Sequence, residues 1–173
     1  KMSSTASWPV GPQSLIIHTN SQLYHLDVND PGPARLIRNV PESPLTPVTS
    51  VTNLVPVGDS HVFYVDGSEL YRVDLSNNTK EQVTISKSAV LTAVGPLAAV
   101  GEEHLFFVAD NNLYRTHVDD KADDEREMVA TDDGPVSALT AVGSETLYFI
   151  AGSDIYRVST APGATTGTLR VSR

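Results

Sequence analysis

Apolar residues in this sequence come in short runs separated by Gly, Asn, Asp, Ser and Pro, and no stretch carries the 3.6-residue period of an amphipathic helix. The densest runs are Leu15-Ile16-Ile17, His61-Val62-Phe63-Tyr64-Val65, Leu105-Phe106-Phe107-Val108 and Leu147-Tyr148-Phe149-Ile150. They are rich in β-branched and aromatic residues and bounded by turn formers, so they read as β-strands. After a tight break, each is followed by a segment with Leu-Tyr or Ile-Tyr and then a basic residue: Leu23-Tyr24-His25, Leu70-Tyr71-Arg72, Leu113-Tyr114-Arg115 and Ile155-Tyr156-Arg157. The breaks Asp66-Gly67-Ser68 and Ala151-Gly152-Ser153 supply Gly where a hairpin needs positive φ; Asp110-Asn111-Asn112 supplies Asn. A looser fourth segment follows: Arg35-Leu36-Ile37-Arg38, Glu81–Ile85, Arg126–Val129 and Thr168–Val171. A Val-x-x-Leu-x-(Pro or Ala)-Val stretch precedes three of the dense runs, at Val51–Val57, Val94–Val100 and Val136–Val142. The first copy, Ser4–Val10 with Trp8 and Pro9, is degenerate.

These segments repeat. The four tyrosines stand 47, 43 and 42 residues apart, and Val10-Gly11, Val57-Gly58, Val100-Gly101 and Val142-Gly143 keep the same step. Each Gly precedes its Tyr by 13 residues in all four copies, an agreement chance does not supply. Four antiparallel strands in a unit of about 40–50 residues is the pattern of a propeller blade. The predicted fold is therefore all-β: a four-bladed β-propeller of four repeats of four antiparallel strands, or half of a larger ring completed by a second chain. One domain spans residues 4–173, with blades at about 4–43, 44–86, 87–131 and 132–173, and 1–3 is expected to be a cloning scar or disordered.

The stretch Leu147-Tyr148-Phe149-Ile150-Ala151-Gly152-Ser153-Asp154-Ile155-Tyr156-Arg157-Val158 resembles blades of the YWTD and NHL propeller groups, in which an aromatic-rich second strand precedes an Ile-x-Arg third strand. The resemblance covers nearly the whole chain and implies the blade, not an activity. The Tyr-Trp-Thr-Asp tetrad, the Trp-Asp dipeptide and paired kelch glycines are all missing. The repeats run in phase with the two ends, so no blade borrows strands from both termini. The irregular first copy reads as a closing or capping blade.

Composition narrows the function classes. Twelve Lys and Arg against 21 Asp and Glu give a net charge of −9, which argues against a nucleic-acid partner. No apolar run is long enough for a membrane-spanning helix. The absence of Cys excludes disulfides, thiolate zinc sites and Cys nucleophiles.

Each chemically suggestive residue has a structural reading. The four recurrent tyrosines are expected to pack between blades with their hydroxyls bonded to a neighbouring blade. Arg72, Arg115 and Arg157, with His25 in the fourth place, lie on the opposite face, where Asp27 and Asp74 have the parity to pair with them. His61 and His104 share a repeat position, but a metal needs more converging ligands than two, so no metal or other cofactor is expected. The acidic stretch Asp119–Asp133 holds eight of the 21 acids and lacks the Gly and spacing of a calcium loop. In Asp27-Val28-Asn29-Asp30-Pro31-Gly32, Pro31 spoils the turn of such a loop. Asn77-Asn78-Thr79 is a glycosylation sequon that matters only in a secreted protein. No serine-nucleophile elbow, phosphate loop or dinucleotide fingerprint is present.

The resulting expectation is a non-catalytic protein–protein interaction module, with a lectin-like propeller as the alternative. The expected contacts are the hairpins between second and third strands, at Asn20, Gln22, Asp66, Glu69, Asp110, Asn112 and Asp154. They also include the acidic loop, at Asp119, Asp120, Asp123 and Asp124. The expected partner is another protein with a basic surface, or a second copy of the chain in a homodimer.

Overall fold

The computed structural model describes residues 5–30, 32–39, 47–85, 91, 94–121, 126–129, 134–160 and 169–171. The described residues form β-strands and no helix. The chain divides into two compact units, Lys1–Val83 and Thr84–Arg173, each holding two of the repeats.

In the first unit, blade one is an antiparallel sheet of β1 (Ala6–Pro9), β2 (Ser14–Thr19), β3 (Gln22–Asp27) and β4 (Arg35–Leu36). The next strand, β5 (Arg38–Asn39), leaves that sheet. Blade two consists of β6 (Val51–Val57), β7 (His61–Asp66), β8 (Glu69–Asp74) and β9 (Thr79–Val83), and β5 adds a fifth strand by pairing in parallel with β9. The segment Arg35–Arg38, expected as one strand, is thus split at Ile37. The Ile37 amide bonds the Leu23 carbonyl of blade one at 3.0 Å; the Arg38 amide bonds the Asn78 carbonyl of blade two at 2.9 Å. Ile37 is 2% exposed and sits in the core between the two sheets, so its burial marks the crossing point.

In the second unit, blade three is β10 (Leu97–Val100), β11 (His104–Ala109), β12 (Asn112–His117) and β13 (Glu127–Val129). Blade four is β14 (Val136–Val142), β15 (Thr146–Ala151), β16 (Asp154–Ser159) and β17 (Leu169–Arg170). β10 starts three residues later than expected, because Pro96 has no amide to give a ladder. Two of the first strands bulge, β6 between Thr52 and Val55, where Asn53 has φ +50°, and β14 between Val136 and Ala138.

Period-two alternation gives every blade a tyrosine face and a basic face. In the first unit the basic face of blade one (Ile16, Leu23) packs on the tyrosine face of blade two (Val62, Tyr64, Val73). In the second unit the basic face of blade three (Phe106, Val108, Leu113) packs on the tyrosine face of blade four (Leu147, Phe149, Tyr156, Val158). Three of the four recurrent tyrosines stack on their cross-strand partners: Tyr71 on Tyr64 at 5.4 Å, Tyr114 on Phe107 at 5.5 Å and Tyr156 on Phe149 at 5.3 Å between ring centroids. Such aromatic pairs add about 0.5–1.5 kcal/mol beyond the area they bury. Backbone bonds also tie the hairpin tips of blades one and three to the segment entering the next blade: Val48 N–H to the Ser21 carbonyl at 2.9 Å, and Val136 N–H to that of Asn111 at 3.4 Å. Ser21 and Asn111 occupy the same repeat position.

Candidate functional site

The hairpins between second and third strands carry seven of the expected contact residues, and the structure gives them unequal roles. Gln22 accepts the Tyr24 hydroxyl at 2.8 Å and Glu69 accepts that of Tyr71 at 2.7 Å. These two hydroxyls therefore bond two residues back along their own strand, not to a neighbouring blade. The reason is geometric: residues two apart on a strand share a face, and a long polar side chain there reaches the ring oxygen. Asp66 anchors the segment entering β6, accepting the amides of Thr49 at 3.1 Å and Ser50 at 2.8 Å and the Thr49 hydroxyl at 2.6 Å. Asp154 is 6% exposed and forms an ion pair with Arg170 of β17. Asn20, Asp110 and Asn112 are exposed. Asn20 and Asp110 take left-handed turn conformations, with φ +51° and +50°.

In the acidic loop, Asp119 is exposed while Asp120 is half-buried. Asp120 accepts the His117 amide at 2.7 Å and the Thr116 hydroxyl at 3.0 Å, and lies 3.5 Å from the buried Arg126 guanidinium. Arg126 also donates to the Lys121 carbonyl at 2.6 Å. Asp123 and Asp124, and the rest of the expected patch at Glu125, Asp132 and Asp133, lie outside the described residues.

The repeated arginines find different partners from those expected. Arg72 pairs with Glu81 and Arg115 with Glu127, each across the ladder on the fourth strand. Asp74 instead closes its own turn, accepting from Ser76 and Asn77. Asp27 does likewise with the Asn29 amide at 2.9 Å, and Asp30 accepts the Gly32 amide and pairs with Arg35. A directly opposite residue is closer than one two positions along the strand, which decides the pairing. Arg157 faces Leu169 in register and is exposed.

His25 is 8% exposed and joins the two sheets of its unit. Its Nδ1 donates to Asn78 Oδ1 at 2.8 Å, which leaves Nε2 to accept from the Ser14 hydroxyl at 3.2 Å. Ser14 and His25 line a cleft of about 300 Å³ at the end opposite the hairpins, together with Gln13, Asp27, Asp59 and Ser60. The hydroxyl–imidazole–amide order matches a nucleophile, base and orienter. The Asp27 and Asp59 carboxylates in the same cleft oppose the negative charge that acyl transfer develops. The arrangement is a polar strut between blades. His61 and His104 have local partners, the Ser60 hydroxyl at 2.9 Å and the His117 ring edge-on at 5.2 Å. Among the described residues no three His, Asp or Glu side chains converge as a metal ion requires.

Two features went unread in the sequence. Lys80 is 4% exposed with its ammonium 5.4 Å from the Tyr71 ring centroid, and burial lowers its pKa against the opposing pull of Asp66. The basic face of blade four exposes a group of apolar side chains, with Val142 at 54%, Ile150 at 37%, Ile155 at 41% and Val171 at 46% exposure, beside a half-buried Tyr148 and the exposed Arg157. The signal for it was available: these positions repeat those of Val65 and Leu70 and of Val108 and Leu113, all of them buried.

The sequence matches no family model and no curated protein. Solved structures do resemble it. A streptogramin B lyase superposes with TM-score 0.61 at 13% identity over 95% of this chain and 53% of its own. YCF48 from Cyanidioschyzon merolae gives 0.57 at 14% over 96% of this chain and 58% of its own. The N-terminal domain of Nup159 gives 0.55 at 11% over 97% of this chain and 47% of its own. The chain thus spans about half the length of these structures. All three are propeller-type proteins, and with four successive sheets, each built on four antiparallel strands, this chain has the β-propeller fold.

Proposed function

We propose that the chain is a non-catalytic protein-interaction module built on propeller blades. The observation that carries this reading is the group of exposed apolar side chains on blade four, because contiguous exposed apolar surface marks a contact site. The exposed polar tips Asn20, Asp110, Asn112 and Asp119 supply rim contacts in this reading, and the charge of −9 favours a partner with a basic surface. Among the structural relatives, S. cerevisiae Nup159 has been captured with Dbp5 bound to it, an instance of this architecture serving a protein partner. The carbohydrate alternative draws less support, since Tyr114 and Tyr156 are buried in stacked pairs and present no open ring per blade.

The test is an affinity capture from the native source with the wild-type chain and with an Ile150→Asp, Ile155→Asp variant, at low and high salt. Specific proteins retained by the wild type, lost by the variant and weakened by salt support the reading, because exposed charges are screened beyond about 10 Å at 0.1 M. Identical retention by both proteins, or none by either, overturns it.

A further inference from the structure

Within each unit one stacking rule holds: the basic face of a blade packs on the tyrosine face of the blade that follows. Among the faces this rule does not cover are the tyrosine face of blade one in the first unit and the basic face of blade four in the second. Both carry accessible apolar side chains. On the first, Leu15, Ile17, Tyr24 and Leu26 are half-buried. On the second, Ile150 and Ile155 are 37% and 41% exposed, whereas their counterparts Val65 and Leu70 are at 2% and 0%, and Val108 and Leu113 at 5% and 0%.

We infer that the basic face of blade four docks on the tyrosine face of blade one from a second copy of this chain, repeating the contact that joins blades inside each unit. Two observations select this occupant. The face has the residue types that meet a tyrosine face elsewhere in the molecule, Ile and Tyr where blade three has Val, Leu and Phe. The chain carries the complementary face itself, partly open. The two surfaces differ, so the contact is heterologous, and each copy offers both a donor and an acceptor face. The inference rests on the interaction-module reading and names its partner.

Sedimentation velocity of the full chain across low to high micromolar concentration tests it. The expected result is a reversible, concentration-dependent rise in mass. Ile150→Asp with Ile155→Asp should weaken that association by about tenfold or more, as loss of a central apolar contact does. Both side chains already meet solvent, so this variant keeps its fold, which its circular dichroism melting curve checks. Ile17→Asp should weaken association equally from the other side. Mixing the two variants leaves one intact junction, so a pair of twice the chain mass should form although neither variant self-associates. A chain that stays monomeric throughout, or associates unchanged with the blade-four substitutions, overturns the inference, and so does a mixture without rescue. If Ile17→Asp does not fold, the wild-type and blade-four arms still decide. A monomeric chain that loses a foreign partner on the blade-four substitutions sinks this inference and leaves the interaction reading standing.

Discussion

Gly101 and Gly143 occupy the same turn, between first and second strands, in successive blades, with φ of +67° and +66°. Replacing either by Ala forces an L-residue into the left-handed region, at about 1–2 kcal/mol. Their surroundings separate them. A Cβ on Gly143 meets nothing within 4 Å, but one on Gly101 falls 2.7 Å from the Ser144 carbonyl oxygen in the turn of blade four. That oxygen is backbone and cannot rotate away, and overpacking a fixed contact adds about 1–3 kcal/mol. Gly143→Ala should therefore lose about 1–2 kcal/mol and Gly101→Ala about 2–5 kcal/mol. The backbone contribution cancels in the difference, which isolates the clash. Urea unfolding followed by far-ultraviolet circular dichroism measures both, and equal slopes certify that only stability has changed. Gly67→Ala, with φ +66° and open space around it, serves as a second reference and should match Gly143→Ala. Equal losses at Gly101 and Gly143 would refute the close approach of the Ser144 carbonyl to Gly101.

Tyr64 is fully buried, and its hydroxyl has no hydrogen-bond partner. Tyr64→Phe should therefore leave stability unchanged or raise it by about 1 kcal/mol, and a clear loss in urea unfolding would reveal a hidden partner. Tyr71→Phe breaks a 2.7 Å bond to Glu69 and should instead lose about 0.5–1.5 kcal/mol in the same assay. Burial, and then the charges of Arg115 and His117, lower the His104 pKa below its usual 6.5, with Glu103 and Asp120 opposing. The unfolded chain thus takes up this proton more readily. The associated stability is complete above about pH 6.5 and is lost as pH falls through the lower folded value. His104→Gln should flatten that portion of a melting-temperature profile taken between about pH 7.5 and 5, and an unaltered slope would exclude His104 as its source.

The blade register was legible because its signals are local and redundant. A Val-Gly turn, a dense apolar run and a Leu-Tyr pair at fixed offsets leave no freedom to slide, and Phe107 opposite Tyr114 follows directly. The split at Ile37 was not legible, because alternation continues unbroken through Arg35–Arg38 while the sheet changes beneath it. Arginine pairing failed for a related reason. Parity places Asp74 and Glu81 on the same face as Arg72, and only the register with the fourth strand selects Glu81. The hairpin residues were picked for polarity and position. Polarity does not distinguish Asn112, which faces solvent, from Asp154, which is buried against Arg170. His25 stood out only as the odd member of a basic series; its bond to Asn78 joins positions 53 residues apart and leaves no trace in either neighbourhood.

β5 changes where a blade can be cut. The repeat spacing puts the seam between blades one and two near residue 43, but the sheet of blade two reaches back to Arg38. A shortened chain starting at the repeat boundary would lack that strand. It would leave the backbone groups of Thr79 and Lys80 along β9 as a bare edge, the kind of surface that recruits strands from other molecules. Grafting blade two elsewhere, or exchanging blade one for another repeat, therefore calls for a joint between Leu36 and Ile37, so that the exchanged part and the unit of sheet pairing coincide. Conversely, a protease cut between Leu36 and Ile37 would leave β5 covalently joined to blade two, whereas a cut just after β5 would leave blade two held to its outermost strand by a two-residue pairing alone.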